Sequence, residues 1–236
     1  MSAFVSEAKD TGGGSAEIRR VPLRLGVLGS HLTPYFSPLY RHLARRVDAF
    51  EVGYFRQIDP GQDKPMFDPG FGKAFSWDID LRSGYEFTSF DLEEAPFKYP
   101  AKDLARLVRN VHAWAKRFRP DVVMVPGWVL PYVLCAQTLR AAGVKLILRP
   151  EGRVPRGPAL VRGLARDVWC RAMVRSARAA AVVGTASRDE LMRLGMKPEQ
   201  MVFSPYVIDT DLLGHSYYGD AVRLLRFDHK LSGVKF

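Results

Sequence analysis

Cysteine is scarce in this sequence of 236 residues, which has only Cys135 and Cys170. Two cysteines cannot form a disulfide framework or, by themselves, a zinc site. His42, His215 and His229 show no ligand spacing either, so we predict no metal site built by the protein. Cysteine this sparse suits a reducing compartment, and we expect a cytoplasmic protein.

The sequence also lacks a secretory signal and an uninterrupted apolar span. Residues 1–20 are polar and contain no apolar signal-peptide core, so we expect a disordered leader. Val122 to Leu139 carry no charge and reach the lower length limit for a spanning helix. Because Pro126, Gly127 and Pro131 interrupt this stretch, a strand, a turn and a buried helix explain it better.

Negative charge is in deficit, with 35 Lys and Arg against 25 Asp and Glu and a net charge of +10. A surface with this balance attracts phosphates, nucleic acid or anionic lipid. No helix-turn-helix, aromatic RNA-binding or zinc motif is present, so we do not expect nucleic acid as a partner.

Apolar runs of strand length alternate with helical periodicity along the chain. Strands are predicted at 23–28, 50–55, 121–125, 144–148, 179–183 and 201–203, and helices at 38–47, 103–118, 130–142, 159–178 and 187–194. The stretch 57–72, rich in Pro, Gly and Asp, is predicted as an extended loop. This alternation predicts an α/β fold with a single Rossmann-like, doubly wound parallel sheet.

Ligands of open α/β sheets bind beyond the carboxyl ends of the strands. Five predicted strand ends therefore supply the candidate residues: 29–30, 127–128, 149–152, 184–185 and 204–209. Gly29 and Ser30 do not belong to a GxGxxG fingerprint, so a dinucleotide site is not expected.

The residues of the second half resemble a known family. Ala180 to Ser187, Glu190 to Met196, Pro198 to Met201 and Ser204 to Asp209 together resemble the block that closes the N-terminal domain of family 4 glycosyltransferases, which have the GT-B fold. The segment 75–87 is similar to a Trp-Asp, Leu, Gly-Tyr signature of a bacterial subgroup. The resemblance covers about residues 23–213.

The resemblance implies an acceptor-side domain at 21–209. Family members carry a second Rossmann-like domain that holds most nucleotide-sugar contacts, whereas only 27 residues follow Asp209 (236 minus 209). We therefore interpret 210–236 as an atypical tail, left by a truncation or a frameshift near Thr210. An isolated half of this kind is expected to be weakly active or inactive.

The implied activity is the transfer of a sugar from a nucleotide-sugar donor to a glycan or lipid-linked acceptor, in bacterial surface polysaccharide or glycoconjugate synthesis. The stereochemistry implied is retention, and no bound cofactor is expected. The alternative is a non-catalytic Rossmann-like module that holds an acceptor or a partner chain.

Glu151, with Arg149 beside it, is the predicted catalytic position. A carboxylate there, flanked by guanidinium groups that keep it ionised, would orient or deprotonate the acceptor hydroxyl. An ion pair that supports the loop is the alternative for Glu151. The predicted substrate-binding residues are Gly29, Ser30, His31, Gly127, Trp128, Gly152, Arg153, Tyr206 and Asp209. A plain turn at Gly29–Ser30, a surface His31 and a core Trp128 remain alternatives.

The predicted helix 159–178 belongs to a basic segment opposed only by Asp167. Its arginines are Arg153, Arg156, Arg162, Arg166, Arg171, Arg175 and Arg178, and Leu160, Leu164, Val168, Trp169 and Met173 supply an apolar side. This pattern is typical of an interfacial helix attracted to anionic lipid, which would place the protein on the inner face of the cell membrane. A solvated basic surface is the alternative.

Overall fold

The computed structural model describes residues 21–55, 66–68, 73–75, 80–90, 92, 99–151 and 160–206. The predicted leader at 1–20 and tail at 210–236 lie outside these residues. The elements are β1 (Val21–Gly29), α1 (Ser37–Ala44), β2 (Val47–Tyr54), β3 (Met66–Asp68), β4 (Lys73–Phe75), β5 (Glu86–Ser89), α2 (Ala101–Phe118), β6 (Val122–Val125), α3 (Leu130–Ala141), β7 (Lys145–Leu148), α4 (Leu160–Ser176), β8 (Ala179–Val182), α5 (Thr185–Arg193), a short 3₁₀ helix at Pro198–Gln200 and β9 (Met201–Phe203).

Seven strands form one sheet in the order β5-β2-β1-β6-β7-β8-β9. Every strand pair in it is parallel. The chain builds outward from β1 in one direction through β2 and β5, and in the other through β6 to β9. The prediction of a single Rossmann-like doubly wound sheet is confirmed.

Alternate residues of β1 belong to two different apolar clusters. Val27 packs in the smaller cluster with Tyr40 of α1 and Phe50 of β2. Leu28 packs in the larger cluster, which draws residues from α2, α3, α4 and α5. Because successive strand residues point to opposite faces, the sheet is covered on both sides and its apolar strands are buried.

The helices follow their apolar periodicity. In α2, Leu107, Val111, Trp114 and Phe118 are buried at spacings of three and four residues, and they face the sheet. The uncharged stretch 122–139 divides into β6, a turn and α3, as its prolines and glycine predict. Among the described residues, no helix combines the length and apolar character that a bilayer span requires.

Three segments differ from their sequence prediction. Val47 was predicted to end the first helix but opens β2, and α1 stops at Ala44. The predicted loop at 57–72 contains β3, which pairs antiparallel with β4. Residues 86–89, for which no strand was predicted, form the edge strand β5. Val47 and β5 are placed by strand partners 26 to 35 residues away, which helical or turn periodicity does not report, whereas β3 and β4 form a local pair within a stretch rich in turn residues.

Candidate active site

A cleft of about 880 Å³ opens at the carboxyl edge of the sheet. It is lined by Leu28, Gly29, Ser30, His31, Thr33, Tyr35, Phe36, Tyr40, Pro126, Gly127, Trp128, Val129, Tyr132, Glu151 and Tyr206. The segments after β1 and after β6 supply most of this lining. These two strands are neighbours whose connections run to opposite sides of the sheet, so the cleft lies at the topological switch point, where α/β proteins bind ligands.

Most of the predicted site residues meet at this cleft. Gly29, Ser30, His31, Gly127, Trp128, Glu151 and Tyr206 line it. Arg149 stands directly behind its wall, against the rings of Phe36 and Tyr206. Gly152, Arg153 and Asp209 lie outside the described residues. The placement agrees with the strand-end argument, while the chemical roles of these residues stay predictions.

Buried hydroxyl groups hold the loop after β1 in place. Ser37 Oγ lies 3.0 Å from the carbonyl oxygen of Leu81, and Tyr85 donates its hydroxyl hydrogen to the same oxygen at 2.6 Å. The Tyr54 hydroxyl lies 3.0 Å from that of Tyr85. Burial raises the pKa of both Tyr54 and Tyr85. The phenols therefore stay protonated, and the turn around Tyr85 is fastened to the start of α1.

Two helices begin at the cleft without a capping side chain. Phe36 precedes α1 and Val129 precedes α3, and both of these residues line the cleft. Neither helix has an acidic residue in its first turn. The first N–H groups of a helix lack intrahelical partners and carry partial positive charge. The cleft therefore receives the positive ends of two helices, which is an arrangement suited to an anion.

Arg149, the residue after β7, is only 2% exposed. Its guanidinium carbon lies 5.4 Å from the centre of the Phe36 ring and 5.0 Å from that of Tyr206. Its Nε and Nη1 are buried and have no hydrogen-bond partner among the described residues. Burying a cation whose N–H groups lack hydrogen-bond partners costs free energy. The contacts with the two aromatic rings compensate for only part of the lost hydration.

Glu151 and Tyr206 form a polar pair at the rim of the cleft. Glu151 is exposed and Tyr206 is 49% exposed. Burial, followed by the hydrogen bond that Tyr206 donates to Glu151, raises the pKa of Tyr206 to about 12. Near neutral pH the phenol therefore keeps its proton and orients the carboxylate.

Two neutral polar atoms in the lining are buried without partners. Trp128 Nε1 and Thr33 Oγ1 make no hydrogen bond within the described part of the chain. Trp128 also packs on the larger apolar cluster. Both of its predicted alternatives, a core aromatic residue and a residue at the cleft, therefore describe its position. His31 is joined to Ser30 by a contact of 2.8 Å between Nδ1 and Oγ.

Sequence reasoning missed the aromatic part of the site. Tyr35, Phe36, Tyr40 and Tyr132 line the cleft but were not predicted to do so. The run Pro34-Tyr35-Phe36, which begins three residues after His31, was the available signal. Within the residues that the structure describes, no group of three or more His, Cys, Asp or Glu side chains is arranged to hold a metal ion.

The basic helix α4 does not keep one apolar side. Met173, expected on the lipid-facing side, is buried in the larger cluster, whereas Val168 and Trp169 are exposed. Asp167 pairs with Arg193 of α5 at 2.6 Å. The core therefore takes Met173 from the side that the prediction gave to lipid, while the side chains of Leu160 and Leu164 lie outside the described residues. Attraction to anionic lipid stays a prediction.

The family described as Glycosyl transferase 4-like domain matches residues 32–206. A comparison with curated protein sequences found no matching relative. Similar solved structures include a UDP-N-acetylglucosamine 2-epimerase, with 12% sequence identity over 79% of this chain and 49% of that one, at a TM-score of 0.54.

Two further solved structures share the fold. HepE from Anabaena, in complex with UDP, has 14% identity over 88% of this chain and 50% of its own, at a TM-score of 0.53. Sucrose-phosphate synthase from Thermosynechococcus elongatus has 14% identity over 88% of this chain and 98% of that one, at a TM-score of 0.51. The chain spans about half the length of the epimerase and of HepE.

Proposed function

We propose that this chain, which belongs to the Glycosyl transferase 4-like domain family, takes part in the transfer of a sugar from a nucleotide-sugar donor to the hydroxyl group of an acceptor. The observation that carries the proposal is the cleft at the switch point of the sheet, with the uncapped starts of α1 and α3 at its lining. In a transfer from a nucleotide sugar, the leaving group is a nucleoside diphosphate.

The two helix starts can stabilise the negative charge of that leaving group. Departure of a diphosphate builds negative charge, which preorganised N–H groups stabilise. In the first turn of α1, Pro38 has no N–H and Ser37 donates its N–H to the carbonyl oxygen of Thr33 at 3.2 Å, and in the first turn of α3, Pro131 has no N–H. The donors of this kind are therefore the N–H groups of Leu39 in α1 and of Leu130 and Tyr132 in α3, together with the backbone after Gly29. Support for the nucleotide comes from HepE, a structural relative determined in complex with UDP.

Glu151 is proposed to act on the acceptor. Its carboxylate lies at the cleft rim, oriented by the Tyr206 hydroxyl. A carboxylate within reach of the acceptor hydroxyl orients it and removes its proton as the new bond forms. Arg149, which packs against the rings of Phe36 and Tyr206, is proposed to hold Tyr206 and Glu151 in position. No metal or bound cofactor has a role in this scheme.

In the cell, we place this reaction in the synthesis of bacterial surface polysaccharide or glycoconjugates, with a glycan or lipid-linked acceptor. The proposed location is the cytoplasm, on the inner face of the cell membrane, with α4 towards anionic lipid. Flotation with anionic and with neutral liposomes tests this location, and equal recovery in both would count against it.

A second candidate function is acceptor binding without transfer. It is favoured by the charge of the cleft, whose described lining residues include no Lys or Arg to pair with a diphosphate. In this alternative the cleft holds an acceptor or a segment of a partner chain, and Glu151 serves recognition alone.

Measuring the release of UDP from UDP-sugars in the presence of acceptor glycosides distinguishes sugar transfer from acceptor binding without transfer. In an enzyme that carries both Rossmann-like domains, we expect Glu151→Gln to lower this turnover about 100-fold, as for loss of a general base, with an unchanged melting temperature. Glu86→Gln is the matched control, because Glu86 is exposed on β5 and does not line the cleft. If Glu151→Gln releases UDP as fast as the protein without the substitution, Glu151 has no role in the reaction. If no variant releases UDP, acceptor binding without transfer is favoured.

A further inference from the structure

We propose that His31, in its protonated imidazolium form, is the side chain that pairs with the diphosphate of the donor, so that the cleft binds nucleotide sugars more tightly as the pH falls. This inference rests on the proposed function in taking the cleft as the site of the diphosphate. It adds the cation of that site, a positioning role for Ser30 and a dependence of binding on pH.

The described lining of the cleft offers an anion one side chain that gains positive charge near neutral pH. This lining contains no Lys or Arg, and Arg149 is buried behind it. Imidazole is the side chain whose ordinary titration falls between about pH 5 and 8. His31 lines the cleft and is half-buried, so water still reaches the ring and protonation carries little desolvation cost. Within the described lining, the cation for a diphosphate is therefore His31.

The other ionisable groups of the cleft do not titrate in this range in a way that replaces His31. Four phenols belong to the described lining, those of Tyr35, Tyr40, Tyr132 and Tyr206. An ordinary phenol loses its proton near pH 10, and burial raises the pKa of the last three. The Glu151 carboxylate in the lining favours the imidazolium form, whereas the Arg149 guanidinium behind the wall opposes it. A bound diphosphate adds two negative charges in favour of the imidazolium form.

Ser30 positions the imidazole in the turn after β1. His31 Nδ1 and Ser30 Oγ are 2.8 Å apart, and both residues line the cleft. In the imidazolium form both ring nitrogens carry hydrogen, so Nδ1–H donates to Ser30 Oγ. A hydrogen bond from a charged donor is stronger than one from a neutral ring. Ser30 therefore favours the protonated state of His31 as well as its position.

Titration of the full chain with UDP-glucose between about pH 5.5 and 8 tests this inference. The diphosphate of UDP-glucose is esterified at both ends, so its charge is constant over this range, whereas a terminal phosphate takes up a proton near pH 6. The Kd should be roughly tenfold lower at the acidic end, the effect of one hydrogen bond to a charged group. Uridine, which lacks the diphosphate, should bind with no dependence on pH.

Matched variants assign the effect to His31. His31→Gln stays polar but cannot gain charge, so its Kd for UDP-glucose should be independent of pH and equal to that of the unmodified chain at the alkaline end. His112→Gln is the control, because His112 is exposed on α2 and does not line the cleft, and it should keep the full dependence on pH. Unchanged melting temperatures show that the variants are folded.

Ser30→Ala tests the positioning role. The midpoint of the affinity change should move to lower pH, while the affinity at the acidic limit is retained, since the charge itself remains. A residue that only supported the turn would weaken binding equally at every pH.

Two outcomes separate this inference from the function it rests on. If UDP-glucose binds with the same Kd at every pH, or if His31→Gln keeps the dependence on pH, the inference is overturned and the proposed function stands. If UDP-glucose binds at no pH, the proposed function and this inference are rejected together.

Discussion

At the scale of single residues, Arg149 is the side chain whose position is hardest to explain by stability. It is buried, it lies against two aromatic rings, and two of its N–H bearing atoms have no partner among the described residues. Leaving buried donors unpaired costs free energy, and natural proteins accept such costs mainly where a site needs the group. We infer that Arg149 is retained for the cleft.

Arg149→Met tests this inference. Met fills similar space and needs no hydrogen bonds, so the free energy of unfolding should be unchanged or rise by up to about 2 kcal/mol. Nucleotide-sugar turnover should fall, because Tyr206 and Glu151 lose their support. Chemical denaturation and UDP release measure the two effects. A fall in stability of several kcal/mol with unchanged turnover would mean that Arg149 serves the fold.

The placement of a residue at the cleft could be predicted where it follows from topology. Gly29 ends β1, Gly127 and Glu151 come shortly after β6 and β7, and the ends of such parallel strands meet at one edge of the sheet. Tyr35 and Phe36 could not be placed in the same way. Their loop is positioned by contacts of Ser37 with Leu81, 44 positions away, and periodicity carries no information about contacts at that separation.

At the scale of elements, the end of β1 shows how closely the strand approaches its neighbour. A Cβ on Gly29 would lie 2.7 Å from Cε1 of Tyr54. Tyr54 cannot move aside easily, because it is buried and its hydroxyl is paired with that of Tyr85. Glycine is therefore required at Gly29 by packing against the tyrosine ring.

Gly29→Ser should lower the free energy of unfolding by about 1–3 kcal/mol, the usual cost of overpacking a core. Gly184→Ser is the control: a Cβ there meets nothing within 4 Å, and Gly184 precedes α5, where serine is a preferred cap. We expect the control to be as stable as the unmodified chain or slightly more stable, by thermal denaturation. Equal stability of both variants would show that the contact with Tyr54 is not tight.

Element prediction succeeded for segments with a strong pattern and failed at the edges. Gly143 and Gly195 follow α3 and α5 with φ values of 81° and 102°, as helix-ending glycines should. Val47 follows Leu43 by four residues and so mimics a helical position, but parallel pairing with β1 draws it into β2. The edge strand β5 has only half-buried or exposed residues, so it carries little apolar signal.

At the scale of the whole molecule, one parallel sheet covered on both faces brings the starts of two helices and the ends of β1, β6 and β7 to a single cleft. The order of strands decides this arrangement, since the switch point lies between β1 and β6. The central claim is that a nucleoside diphosphate binds at this point through the backbone after β1 and the starts of α1 and α3.

Hydrogen–deuterium exchange of the full chain with and without UDP tests that claim most directly. We expect slower exchange in the presence of UDP for peptides covering 29–40 and 127–135, and no change for 86–89 on the far edge of the sheet. Exchange that UDP leaves unchanged in both of the first two segments would contradict it.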